Sequence, residues 1–387
     1  MLLVRGRTAL LALAVGWASA VRAEEPPPPP DAETAQEQAW SLDLTVHDYG
    51  LGIGNSKRVN GLRLDFRDVA PFTVRGINLT VWTPAKPVAG HVDGLALGVP
   101  LTGAATLHGV GLGFGLAIAE ELDGVGAGIL GLGSGGAMRG IFAGGLGLGS
   151  GGDIDGIAVG GLGAGCGGNV RGLIAAGFGV GCGGDLTGLA VGGLGAGVGG
   201  KVRGVVLGGL GAGSGGGADG MMAALLGVGS GGDIRGIALG GLGVGAGGGI
   251  RGLAVGGLGV GAGGSLQGIA VGGLGVGSGD SIEGVAVAGL GVGAPRVRGV
   301  IAGLAAGSKD VQGVVLAPAY FELAPQGSIT GVSVSAFNRI RGEQHGLAIG
   351  ILNYTPSLHG VQIGLVNWAG NNRDGLKLLP LVNAHLD

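Results

Sequence analysis

The sequence predicts an all-β chain, a β-solenoid of about 20 short coils of 14–18 residues each and mostly 16. Three observations carry this. First, a 16-residue unit recurs, clearest in RGIALGGLGVGAGGGI, RGLAVGGLGVGAGGSL and QGIAVGGLGVGSGDSI between Arg235 and Gly284. Second, each unit is pinned by a glycine, here called the anchor, at 21 positions from Gly61 to Gly375. Third, apolar residues inside a unit fall in steps of two, as at Ile237 and Leu239 or Leu242 and Val244, the spacing of extended backbone.

The phases around the anchor are kept along the whole array. The residue after the anchor is aliphatic at all 21 positions, and the residue two before it is apolar at 19, with Gln344 and Arg373 the exceptions. The residue just before it is never aliphatic or aromatic: Arg139, Asp155, Arg171, Arg203, Asp219 and Arg235 stand there. A helix would space apolar residues by three and four, and would not tolerate this much glycine. Stacked at roughly 4.8 Å per coil, the array makes a rod on the order of 95 Å long.

Taken in order, residues 1–23 have the pattern of an export signal, with basic Arg5 and Arg7, an apolar run from Thr8 to Trp17 and small residues near Ala20 and Ala23. Residues 24–39, with five consecutive prolines, have the composition of an extended tether. Residues 40–60 are expected to form a capping strand, and residues 61–387 the repeats. The expected location is therefore the periplasm, the outer-membrane surface or the extracellular space.

Composition narrows the function classes. The 387 residues include 100 glycines and only 12% charged residues, against about 7% and about 25% in ordinary domains. Collagen is excluded because glycine does not recur every third residue. A formal net charge of −3 gives no basis for nucleic-acid binding.

The aliphatic residues one and three places after the anchor are expected to face inward. The residue between them is then expected to face outward. At the ends this residue is polar (Arg63, Asn78, Ser333, Gln362, Lys377), whereas in the centre it is apolar, as at Phe142, Ile174, Val206, Met222, Ile301 and Val315. This weakly polar central strip is the predicted interaction surface, for self-association, an envelope partner or a membrane.

Cys166 and Cys182 lie one period apart. Stacking brings them within disulfide reach, yet Ser150, Val198 and Ser214 at the equivalent places equally allow two thiols filling an inward row of small residues. His345, His359 and Asp374 share the pre-anchor phase in three successive coils and form a weak candidate metal site. Asp153, Asp185 and Asp233 are too isolated for a calcium roll. No catalytic set and no cofactor motif is found, and the chain is read as non-enzymatic. The alternatives are a membrane-associated or membrane-embedded β protein, and a β-helical enzyme acting on polysaccharide.

The C-terminal units become GLAIGILN and GVQIGLVN, with Asn338, Asn353 and Asn367 each seven residues after an anchor and Asn383 eight after. Asparagine tolerates positive φ, so these are expected at left-handed corners, with side chains stacked in a ladder. Over residues 331–383 these lines resemble the surface-repeat family of spirochaetes and Gram-negative bacteria. The resemblance implies export and surface placement, and no catalytic residues.

Overall fold

The computed structural model describes residues 40–69 and 71–386; the predicted signal and tether lie outside them. The described chain is a parallel β-solenoid. In a central coil a seven-residue strand, Val170–Ala176, is followed by a two-residue corner and a four-residue strand, Gly179–Cys182. Each long strand pairs in parallel with the long strands one coil before and after, residue for residue. The short strands do the same.

The anchors explain the strict period. From Gly61 to Gly360 every anchor is registered on the next and has φ between +117° and +150°, a conformation open only to glycine at low cost. A Cβ there would also run into the carbonyl oxygen of the anchor in the preceding coil. One more anchor precedes the predicted series, since Gly50 (φ +145°) registers on Gly61. The last predicted anchor, Gly375, is not one. The chain reverses there, and Leu378–His385 runs antiparallel along Ser357–Ala369.

Both ends are closed by such reversals. At the start, Ser41–Val46 and Tyr49–Gly54 form an antiparallel hairpin through His47 and Asp48. Both turn residues have positive φ, the requirement of a two-residue type I′ turn. These reversals keep the array from presenting a plain parallel strand edge for further pairing.

The cross-section overturns the predicted facing of the long strand. Alternation runs through the anchor without a phase change. The residues two before, two after and four after the anchor point in, as Val170, Ile174 and Ala176 do, joined by Val180 and Cys182 from the short strand. Phe142, Ile174, Val206, Met222, Ile301 and Val315, expected on the surface, are therefore core residues, each at most 1% exposed.

The polar residues of this phase at the two ends are inside as well: Arg63, Asn78, Ser333 and Gln362 are all buried. Arg63 pairs with Asp65 and Asp68 and donates to Asn55, Asn78 and the Ser56 carbonyl. Gln362 donates to Gln344 at 3.0 Å. Inward polar side chains with partners, such as Arg63, Asn78 and Gln362, are tolerated, so polarity did not mark the outside.

The asparagine ladder is present. Asn338 Nδ2 donates to Asn353 Oδ1, and Asn353 Nδ2 to Asn367 Oδ1, both at 2.7 Å. The three sit inside short strands, however, and none has positive φ. Asn338 registers on Phe321, which registers on Ala306. In the C-terminal coils the long strand ends three residues after the anchor and not four, so seven places after the anchor is there an inward strand position. Asn383 is buried beside the ladder and accepts from Asn372 at 2.8 Å.

Candidate contact face

The outward rows of the long strands form the main surface feature. Three rows run parallel to the solenoid axis: the charged pre-anchor row, then the aliphatic rows one and three places after the anchor. Ile141, Ile157, Ile237 and Ile269 belong to the first aliphatic row, and Val159, Val271, Val287 and Leu316 to the second; all are exposed. A fourth row lies on the corner, where Leu162, Phe178, Leu194, Leu210, Leu242 and Leu258 are each about half exposed.

Single exposed aliphatics are ordinary, but a contiguous apolar area beyond about 300–600 Å² is not. Here the rows repeat every ~4.8 Å from coil to coil over a width of about 15 Å, giving on the order of 800 Å² across 12 coils. The sequence reading missed this face because aliphatic character was taken as a mark of the interior, which is a one-way rule. The available signal was the unbroken parity: if the residue two before the anchor is inside, the residues one and three after it are outside.

Relief along the face comes from the place five residues after the anchor. In the first coils it carries bulky residues, Phe66, Val81, Val99, Phe114 and Ile129, all exposed. From Gly145 to Gly289 it is glycine, except at Leu225, which is 72% exposed. The glycine stretch floors a groove of about 700 Å³, walled by Val191, Leu207, Leu239 and Val255. At Gly241 a Cβ would meet the Leu225 carbonyl oxygen.

Charges are organised beside the face. Arg171 pairs with Asp155 at 3.2 Å, Arg203 with Asp185 at 3.5 Å and Arg235 with Asp219 at 3.6 Å. The carboxylates read as too sparse for calcium form a ladder with the backbone. Asp153 Oδ1 accepts from the Asn169 amide at 2.7 Å, Asn169 Oδ1 from Asp185 and Asp185 Oδ1 from Lys201, both at 2.8 Å. They fix the corner of each coil to the next.

The opposite, short-strand face is nearly bare. Gly181, Gly197, Gly229 and Gly245 point outward, and a Cβ on any of them would meet nothing within 4 Å. Glycine is not sterically required at these four. In the last coils the same face becomes aromatic, with Tyr354 and Trp368 stacked at 4.4 Å and 3°.

The weak metal candidate does not assemble as drawn. His345 and His359 do stack, 4.7 Å between ring centres. Asp374 instead pairs with Lys377 at 2.7 Å, and that ammonium holds its carboxyl below the usual range. Among the described residues, ligand atoms of His108, Glu121 and Asp123 lie mutually within 4.8 Å. The Arg139 guanidinium is already paired with both of those carboxylates. Cys166 and Cys182 are registered neighbours, buried and free; the hydrogen bond to Cys166, together with burial, pushes the Cys182 thiol up.

Comparison with protein families, curated proteins and solved structures returns no match for this chain.

Proposed function

We propose that this is an exported, non-enzymatic structural protein that works by surface contact, with the aliphatic face of the long strands as its contact surface. The observation that carries the reading is that face: three apolar rows held outward by a rigid, glycine-anchored scaffold. Exposing such rows gives no folding advantage, since the core is built from the other parity. Export and placement in the cell envelope rest on the pattern of residues 1–39 and on the resemblance of residues 331–383 to the bacterial surface-repeat family.

The experiment is a triple substitution on the corner row, Leu242→Ser, Leu258→Ser and Leu274→Ser, in the full chain. Each side chain is about half exposed, so the thermal midpoint of the purified protein should hardly move. Retention in the envelope fraction should fall. Unchanged retention would sink the contact reading.

A second reading places the face on a lipid surface, favoured by its aliphatic composition. It predicts flotation of the purified chain with vesicles of neutral lipid, lost in the same triple variant.

A further inference from the structure

The geometry points to a second copy of this chain as the occupant of the aliphatic face, in an antiparallel pair related by a two-fold axis. The inference rests on the contact reading above. In this pair the axis lies in the interface, runs along the strands, and passes between the coils anchored by Gly172 and Gly188. Each row then faces the same row of the partner, with coil order reversed.

Relief selects this arrangement. The bulky ridge occupies the coils at the start of the face, and the glycine-floored groove the coils beyond the middle. Reversal lays Val99, Phe114 and Ile129 over Gly273, Gly257 and Gly241 of the second copy. The isolated knob Leu225 lies over the second copy's Gly145. Each fit occurs twice, as a self-complementary interface requires. Moving the axis onto the Gly172 coil would drive Leu225 against Ile129, and moving it onto the Gly220 coil would drive Leu225 against itself.

Charge agrees independently. In the pre-anchor row the same axis sets Arg75 against Glu283, Asp123 against Arg235, Arg139 against Asp219, and Asp155 against Arg203. All four pairs are of opposite sign, and all these side chains are in the outward row. Shifting the axis by half a coil toward the C-terminus, onto the Gly188 coil, sets Arg203 against Arg171 and Asp219 against Asp155. Paired sheets sit about 10 Å apart, within reach of Arg and Asp side chains. Complementary rims of this kind fix register and orientation.

Size is adequate. The apolar overlap runs from the Gly94 coil to the Gly268 coil, with the Arg75–Glu283 pair one coil beyond each end, and covers on the order of 800 Å² from each copy, which is the standard size of a specific interface. The flanking row is of mixed sign and not a basic stripe, so it carries no charge signal for an anionic bilayer.

The test uses the mature chain with Cys166→Ser and Cys182→Ser, serine being native at the equivalent Ser150 and Ser214. Sedimentation velocity should show a concentration-dependent dimer. In that background an equimolar mixture of Ile157→Cys and Val205→Cys chains should cross-link with a short bis-maleimide, whereas either chain alone should not. Phe114→Ser with Ile129→Ser trims the exposed ridge and should weaken the dimer by at least about tenfold, with the melting of the isolated monomer unchanged. A monomer at about 100 µM, or Ile157→Cys cross-linking to itself, overturns the inference. If that monomer still needs its aliphatic face for envelope retention, the contact reading stands and only the second copy falls. If retention is indifferent to the face, the contact reading fails too.

Discussion

Ile157 is 42% exposed, whereas the residue beside it, Ala158, is fully buried. The same inversion recurs at Ile237 and Ala238 and at Ile269 and Ala270. The larger side chain faces solvent and the smaller one the core. The same inward row takes Phe142, Ile174 and Met222 in other coils, so strand parity and not side-chain size decides which residue faces solvent. Ile157→Ser should therefore change stability by about 0.5 kcal/mol or less, and Ile174→Ala should cost about 2–5 kcal/mol. Chemical denaturation of the two variants checks this, and equal losses would contradict the assigned parity.

Glycines divide the same way. Gly236 has φ +122° and lies on the Gly220 carbonyl. Gly236→Ala should break stacking locally and lower the unfolding midpoint sharply. Gly245, on the short-strand face, has open space around its Cβ position. Gly245→Ala should be neutral or stabilising by up to about 1 kcal/mol, through loss of chain entropy in the unfolded state. Melting curves of the pair decide it.

Much of this architecture was legible in the sequence. The period, the anchors and the pairing of each coil with the next followed from Gly140, Gly156 and Gly172 recurring at fixed spacing with their flanking phases. The cross-section was not legible, because both parities of the long strand are aliphatic: Ile174 and Leu173 are equally apolar, and only parity continued from Val170 separates them. The asparagine ladder was visible from Asn338, Asn353 and Asn367, but their place is a strand position and not a turn: Gly163 and Gly243 open short strands in the centre, and in the C-terminal coils the short strand begins one residue sooner after the anchor, which turns the side chain inward. The contact face was hidden for the same reason as the parity, since Ile157 and Leu162 read as core by type. The Arg63 cluster was read outward because Arg63 lies between Leu62 and Leu64, both expected inside, and its partners Asp65 and Asp68 come from its own coil and the following corner.

The ladder gives a prediction in which one change does more harm than three. Replacing Asn353 alone by Val leaves the buried Asn367 Oδ1 without its partner and costs Asn338 Nδ2 one of its acceptors, the Ile349 carbonyl remaining at 3.1 Å. An orphaned buried polar group costs about 1–3 kcal/mol. Val is native at the equivalent Val276 and Val292, so the triple replacement at 338, 353 and 367 should be less destabilising than Asn353→Val. Denaturation midpoints in that order support the ladder, and the reverse order refutes it.

Acid behaviour at the other end turns on Asp65. Its carboxylate is buried and paired with Arg63 at 2.6 Å. Burial raises its pKa above the ordinary 3.8, outweighing the Arg63 attraction, and neighbouring Asp68 adds to the rise. A group whose folded pKa is raised binds its proton more tightly in the folded state. Its contribution is therefore fully present below about pH 3.8 and is lost as pH rises through the folded value. Asp65→Asn removes that dependence. The thermal midpoint of the native chain relative to Asp65→Asn should rise as pH is lowered from 7 toward 4, even while general acid effects lower both. A midpoint difference that stays flat or falls on acidification would show that the Arg63 ion pair, and not burial, sets the charge of Asp65.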